Sequence, residues 1–177
     1  MEVEKIKQYV SRAYEIAKLH GFHDERKSND HYVCLIISEL MEAVEADRKE
    51  QRADMYGFIQ RVRVHPDFAE RYEAYIKGSV EEEFADVAIR IFDLIGLLYG
   101  DKMTYSGFEI GPEPCKTFTE KAWFFVYDVL GDTRTELYDS LYYMYEWAKQ
   151  LDFDLDWHIR QKMAFNEHRE RLHGKKY

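Results

Sequence analysis

Residues 79–100, SVEEEFADVAIRIFDLIGLLYG, decide the fold class. Val80, Phe84, Val87, Ile91, Leu94 and Leu98 recur at helical spacing, Ser79 and Glu82 stand three apart as in a capping box, and Gly100 closes the segment. Inside this apolar helix, Glu83, Asp86, Arg90 and Asp93 follow one another at intervals of three, four and three. That spacing draws a charged stripe beside the apolar one.

Two segments upstream read the same way. Ile6, Tyr9, Val10, Ala13, Ile16 and Ala17 form a stripe that ends near Gly21, and a polar loop, FHDERKSND (22–30), follows. A second helix is predicted from about His31 to Lys49, with Ile36, Ile37, Leu40, Met41 and Val44 as its apolar face. It carries Glu39 and Glu42 three residues apart, and Glu45 continues their line. Downstream, capping boxes at Thr117 with Glu120 and Thr133 with Glu136 announce two aromatic-rich helices. Asp154 or Asp156 starts a last helix, expected to run through Leu172. With three prolines in 177 residues and helical periodicity throughout, the expected fold is all-α, one domain spanning 1–177. Residues 47–79, interrupted at Pro66, and 101–155, containing the turn-rich YSGFEIGPEPCK, are read as insertions.

Composition narrows the chemistry. The formal charge of -9 disfavours a nucleic-acid polymer as partner. Cys34 and Cys115 stand far apart without CxxC spacing, so neither a zinc site nor a disulfide framework is expected and a reducing cytoplasm is the simpler setting. No apolar run approaches the roughly 20 residues that span a bilayer, and the charged start MEVEKIKQYV does not read as a secretion signal.

Acidic residues at helical spacing ordinarily solvate an outward face. Here the pairing occurs twice, each time within an apolar helix. If the two helices pack through adjacent faces, Glu39, Glu42, Glu83 and Asp86 converge, and carboxylates about 4 Å apart repel by roughly 4 kcal/mol at an intermediate dielectric. Such a cluster requires a cation. All-oxygen ligation selects magnesium first and manganese second. A di-iron bundle would need two Glu-x-x-His units, and the sequence offers only Glu170 with His173. The last helix carries Lys162, Asn166 and Arg169 at intervals of four and three, donors suited to phosphate, followed by Lys175 and Lys176. The aromatics Trp123, Phe124, Phe125, Tyr142, Tyr143, Tyr145 and Trp147 are read first as core, with base stacking or a subunit interface as the alternatives.

The ordered set SELME (38–42), EFAD (83–86), GFHDERKSND (21–30) and K-x-x-x-N-x-x-R with HGKK (162–176) resembles the MazG-like nucleotide pyrophosphohydrolases. Their motif is Glu-Glu-x-x-Glu followed by Glu-x-x-Asp on the next core helix. The resemblance touches residues 1–46, 80–100 and 157–177. It departs at Ser38, where the leading Glu usually stands, and in the longer separation of the two motifs. It implies a helical bundle, metal ligation by Glu39, Glu42, Glu83 and Asp86, and Asn29 and His23 near the nucleotide. Arg90 and Asp93 match polar positions behind the ligands, with a buried structural pair between them as the equal alternative. The implied reaction is magnesium-dependent attack of water on a nucleoside triphosphate, giving the monophosphate and pyrophosphate, with Glu39 or Glu42 as base. A dimer or tetramer is expected with it. The rival readings are hydrolysis of dUTP or of a phosphoribosyl-nucleotide, and, outside enzymes, a helical module that binds nucleotides or a partner protein without turnover.

Overall fold

Helix α5 (Val80–Tyr99) is the axis around which the other helices pack, with twelve of its twenty residues buried. The computed structural model describes residues 3–100, 115–131, 134–174 and 176. The described residues are all-helical, without strands: α1 (Val3–Leu19), α2 (Asn29–Arg48), α3 (Met55–Gln60), α4 (Phe68–Tyr75), α5, α6 (Phe118–Phe124) running into a π-helical turn (Phe125–Val129), α7 (Arg134–Gln150), α8 (Leu155–Glu167) and a 3-10 turn (Arg171–Gly174). Helices α1, α2, α7 and α8 all pack on α5. None of the described helices is long and apolar enough to cross a membrane.

The stripe on α1 is buried as expected from Ile6 to Ile16. Its contact with α5 is close because of Gly96: a Cβ there would lie 2.8 Å from Tyr14 Cβ. On α2 the seam is rotated from the expected one. Tyr32, Ile36, Glu39, Leu40, Ala43 and Ala46 are buried, whereas Met41 is 44% exposed. The small residues Ala43 and Ala46 admit α5 where the larger Met41 would hold it off, and the rotation carries Glu39 inward.

Several helix ends differ from the sequence reading. Helix α2 begins at Asn29, two residues early, because the Ser28 hydroxyl accepts from the His31 N–H at 3.3 Å. Asp154, rather than Asp156, caps α8 through the Trp157 N–H at 3.0 Å. Helix α8 stops at Glu167 instead of Leu172: the His168 and Arg169 N–H groups donate to the Phe165 and Asn166 carbonyls at 3.2 and 3.1 Å, and further on Leu172 and His173 adopt left-handed φ of 51° and 52°, with the Leu172 N–H donating to the His20 carbonyl at 2.8 Å. The Thr117–Glu120 capping box forms with both of its hydrogen bonds. Thr133 and most of YSGFEIGPEPCK lie outside the described residues.

The two stretches read as insertions build different things. Helices α3 and α4 close a small second core in which Phe58, Tyr72 and Ile76 meet Phe165 of α8. The described part of 101–155 joins the main core: Trp147, 1% exposed, packs with ring centres 4.8 Å from Phe84 and 4.6 Å from Phe118. Phe125 and Tyr143 are buried beside it, so core packing is the role of these aromatics. Trp123, at 66% exposed, is an exception; its ring stacks on exposed Tyr127 at 5.9 Å.

Candidate functional site

The first turn of α5 contains three consecutive glutamates, Glu81, Glu82 and Glu83, and all three are buried. Negative charge at a helix N-terminus is favoured by the helix dipole, which lowers the cost of placing them there. Each has a separate task. Glu81 accepts from the Ala53 N–H at 2.9 Å, fastening the start of the α3–α4 segment. Glu82 accepts from the Gly78 N–H at 2.5 Å and binds the Lys162 ammonium. Glu83 faces the cavity. The Ser79–Glu82 capping box is therefore only half formed: Ser79 Oγ accepts from the Glu82 N–H at 3.2 Å, but the Glu82 carboxylate turns to Gly78 and Lys162 instead of the Ser79 N–H.

Glu39 from α2 and Glu83 and Asp86 from α5 bring one carboxylate oxygen each within 4.8 Å of one another. Burial together with the charges of Asp86 and Glu82 pushes the Glu83 carboxyl up to about 9. This is a carboxyl that needs either a proton or a cation beside it. The three carboxylates form a group that could hold a metal ion through oxygen ligands. Glu42 lines the same cavity but is exposed and stands outside the trio.

Two cations neutralise part of this charge. Arg90 donates from Nε at 2.6 Å and from a terminal nitrogen at 2.5 Å, both to Oε1 of Glu39. Lys162 Nζ lies 2.7 Å from Asp86 Oδ2 and also binds Glu82. Burial alone would lower the Lys162 pKa, but Asp86 and Glu82 more than offset it, so the ammonium is held charged above its ordinary value. Asp93, the last residue of the charged stripe, is raised by burial and receives a 2.7 Å hydrogen bond from His23 Nε2. Arg90 and Asp93 are thus not paired with each other. The His23 ring stacks on Tyr14 at 5.1 Å, so the approach permitted at Gly96 also seats the histidine.

These groups open onto a cavity of about 540 Å³. The donors on α8 face it: Lys162, and Asn166, which is 6% exposed and whose Oδ1 has no hydrogen-bond partner among the described residues. Arg169 lies beyond the helix end yet still lines the wall, as do Arg171 and Lys176 of the C-terminal segment. Lys175 falls outside the described residues. His23 sits behind Asp93 rather than on the cavity surface, and Asn29, at the first turn of α2, does not line the cavity. None of the seven aromatics considered for base stacking reaches the cavity; Phe22, His31, Tyr32 and His173 do.

Sequence reasoning missed Glu82, Lys77 and Gly78. The spacing of Glu82 from Ser79 reads as a cap, and its position next to Glu83 gives no hint that both face inward. Lys77 and Gly78 belong to a stretch with no chemical pattern of its own. Comparison of the chain with models of known families, with curated proteins and with solved structures gives no match.

Proposed function

We propose that this protein is a divalent-metal-dependent nucleotide pyrophosphohydrolase that converts a nucleoside triphosphate into its monophosphate and pyrophosphate. The observation that carries this reading is the meeting of Glu39, Glu83 and Asp86 within 4.8 Å at the wall of a cavity that also presents Lys162 and Asn166. The order and spacing of SELME and EFAD add to it, as does their likeness to the MazG-like motif.

In this reading Glu39, Glu83 and Asp86 hold magnesium or manganese, which supplies charge neutralisation and polarisation of the phosphoryl oxygens when bound. Arg90 fixes Glu39, and Lys162 fixes Asp86 while keeping a buried positive charge beside the phosphates. Asn166 offers its unpartnered Oδ1 to a donor on the substrate or on ordered water. Glu42 is the carboxylate left accessible, and it takes the proton from the attacking water and returns it to solvent. Water adds to phosphorus, the P–O bond to the distal phosphates breaks, and pyrophosphate leaves. The same reading carries an assembly of two or four chains, which light scattering on the purified protein measures.

The test is incubation with each NTP and dNTP, with magnesium and with EDTA, followed by chromatography and a pyrophosphate assay. Monophosphate and pyrophosphate formed only with metal support the proposal. Binding of a nucleotide without turnover rejects it in favour of a sensor module.

A further inference from the structure

One side of the cavity is built by a segment outside the resemblance. Phe165, 4% exposed, has three cations around its ring: Lys162 Nζ at 5.7 Å from the ring centre, Lys77 Nζ at 5.9 Å and the Arg169 guanidinium carbon at 5.9 Å. All three residues line the cavity. An aromatic ring attracts a cation at this distance, but three cations sharing one ring repel one another. Lys162 is neutralised by Glu82 and Asp86. Among the described residues Lys77 pairs only with Glu73, at 3.3 Å, and both side chains are about half exposed, so the pair contributes little. Arg169 donates to the His173 carbonyl at 3.1 Å and makes no ion pair among the described residues.

The backbone at Lys77 is held from both sides, its own N–H donating to the Tyr72 carbonyl at 3.0 Å. Tyr72 of α4 stacks on Phe165 with ring centres 4.6 Å apart, and its own exposure is nil. Gly78 follows Lys77 with φ of +75°, a left-handed conformation that turns the chain and presents its N–H to Glu82. The same carboxylate that binds Lys162 thus anchors the residue after Lys77.

We propose that Lys77 and Arg169, gathered around Phe165, form an anion subsite for the distal phosphates of the substrate, and hence for the pyrophosphate product. The assignment rests on the pyrophosphohydrolase reading for its choice of anion. Lys162 is the bridge: it touches Asp86 of the carboxylate trio on one side and the Phe165 ring on the other. A polyphosphate whose reacting phosphorus lies at the trio meets Lys77 and Arg169 with its far end.

The experiment is calorimetric titration of the full chain with inorganic pyrophosphate in excess magnesium, run beside the hydrolysis assay on the wild type. Lys77→Met weakens pyrophosphate binding about tenfold, the loss of one charge-assisted contact, and Lys77→Glu weakens it further. Lys77→Arg stays within about twofold, because it keeps the charge. Lys149→Met, at a lysine 78% exposed on α7 that does not line the cavity, changes net charge equally and leaves the affinity unchanged. Pyrophosphate affinity that is the same in Lys77→Glu as in the wild type, or that falls equally in Lys149→Met, overturns the subsite, as does a wild type that binds no pyrophosphate. Lys77-dependent pyrophosphate binding in a protein that hydrolyses no nucleotide keeps the subsite and rejects the hydrolase reading. Hydrolysis with Lys77-independent binding does the reverse.

Discussion

Two stretches of this chain, residues 47–79 and 101–155, look alike as additions to a helical core, and they have opposite relations to the site. The first is short of regular structure, yet it sends Lys77 and Gly78 to the cavity wall and Tyr72 behind Lys162. The described part of the second is dense in aromatics, the usual sign of a binding surface, yet it lines none of the cavity and packs behind α5. Composition alone points to the wrong one. What decides is which face of the start of α5 each segment meets: the first is tied to the turn that bears Glu81 and Glu82, whereas the second covers the apolar side at Phe84.

If the second segment is structural, its removal should act on stability first. Trp147→Ala, at a residue 1% exposed and wedged between Phe84 and Phe118, is expected to cost about 3–5 kcal/mol in urea unfolding. A loss below about 1 kcal/mol would mean that the α7 layer is not part of the cooperative core. The carboxylate trio should behave in the opposite sense. Glu83→Gln is expected to lower metal-dependent turnover by about 100-fold or more. It should also raise the melting temperature of the metal-free protein by relieving the burial of an acid. Retained turnover would remove Glu83 from the metal site.

A pH titration of stability probes the junction of the second segment with α8. His158 is 2% exposed and packs edge-on against Phe153, and burial lowers its pKa to about 4. The unfolded histidine, near 6.5, binds its proton first, so this group leaves stability undiminished above about pH 6.5 and takes it away as pH falls toward about 4. At pH 5 the loss is about 2 kcal/mol, and His158→Gln should flatten that limb of the curve. A curve that is unaltered in the variant assigns the acid sensitivity elsewhere. The smallest effect belongs to Tyr72→Phe. The Tyr72 hydroxyl is buried without a partner among the described residues, so its removal should leave stability unchanged or slightly higher, with the ring still seated on Phe165. A loss above about 1 kcal/mol would reveal a hydrogen bond to the site, by way of ordered water.

Much of the fold could be read in advance because α1 and α5 carry unbroken apolar stripes. The convergence of Glu39, Glu83 and Asp86 was legible for the same reason: acids embedded in a buried face must point at something. The rest was hidden by competing local signals. Ser79 and Glu82 have the spacing of a capping box, but the Gly78 N–H and Lys162, which arrives from 80 positions away, take that carboxylate instead. The end of α8 could not be placed from ERLHG, since no glycine or proline stands near Glu167, and the chain beyond it is held by the His20 carbonyl accepting from the Leu172 N–H. Glu42 looked equivalent to Glu39, and the rotation of α2 toward Ala43 and Ala46 separates them.

The run Glu81–Glu82–Glu83 gives the molecule little room to drift in sequence. Successive residues on a helix project about 100° apart, so three identical side chains serve three directions that no single residue could cover. One residue added or deleted within the run would rotate the acids by about 100°, in opposite senses for the two changes, so that they would no longer meet the Ala53 N–H, Lys162 and the cavity in turn. Homologous chains that keep the site are therefore expected to vary freely in the length of the segment before Lys77 while conserving the count from Gly78 to Asp86, a constraint that a set of aligned relatives would expose as an indel-free window.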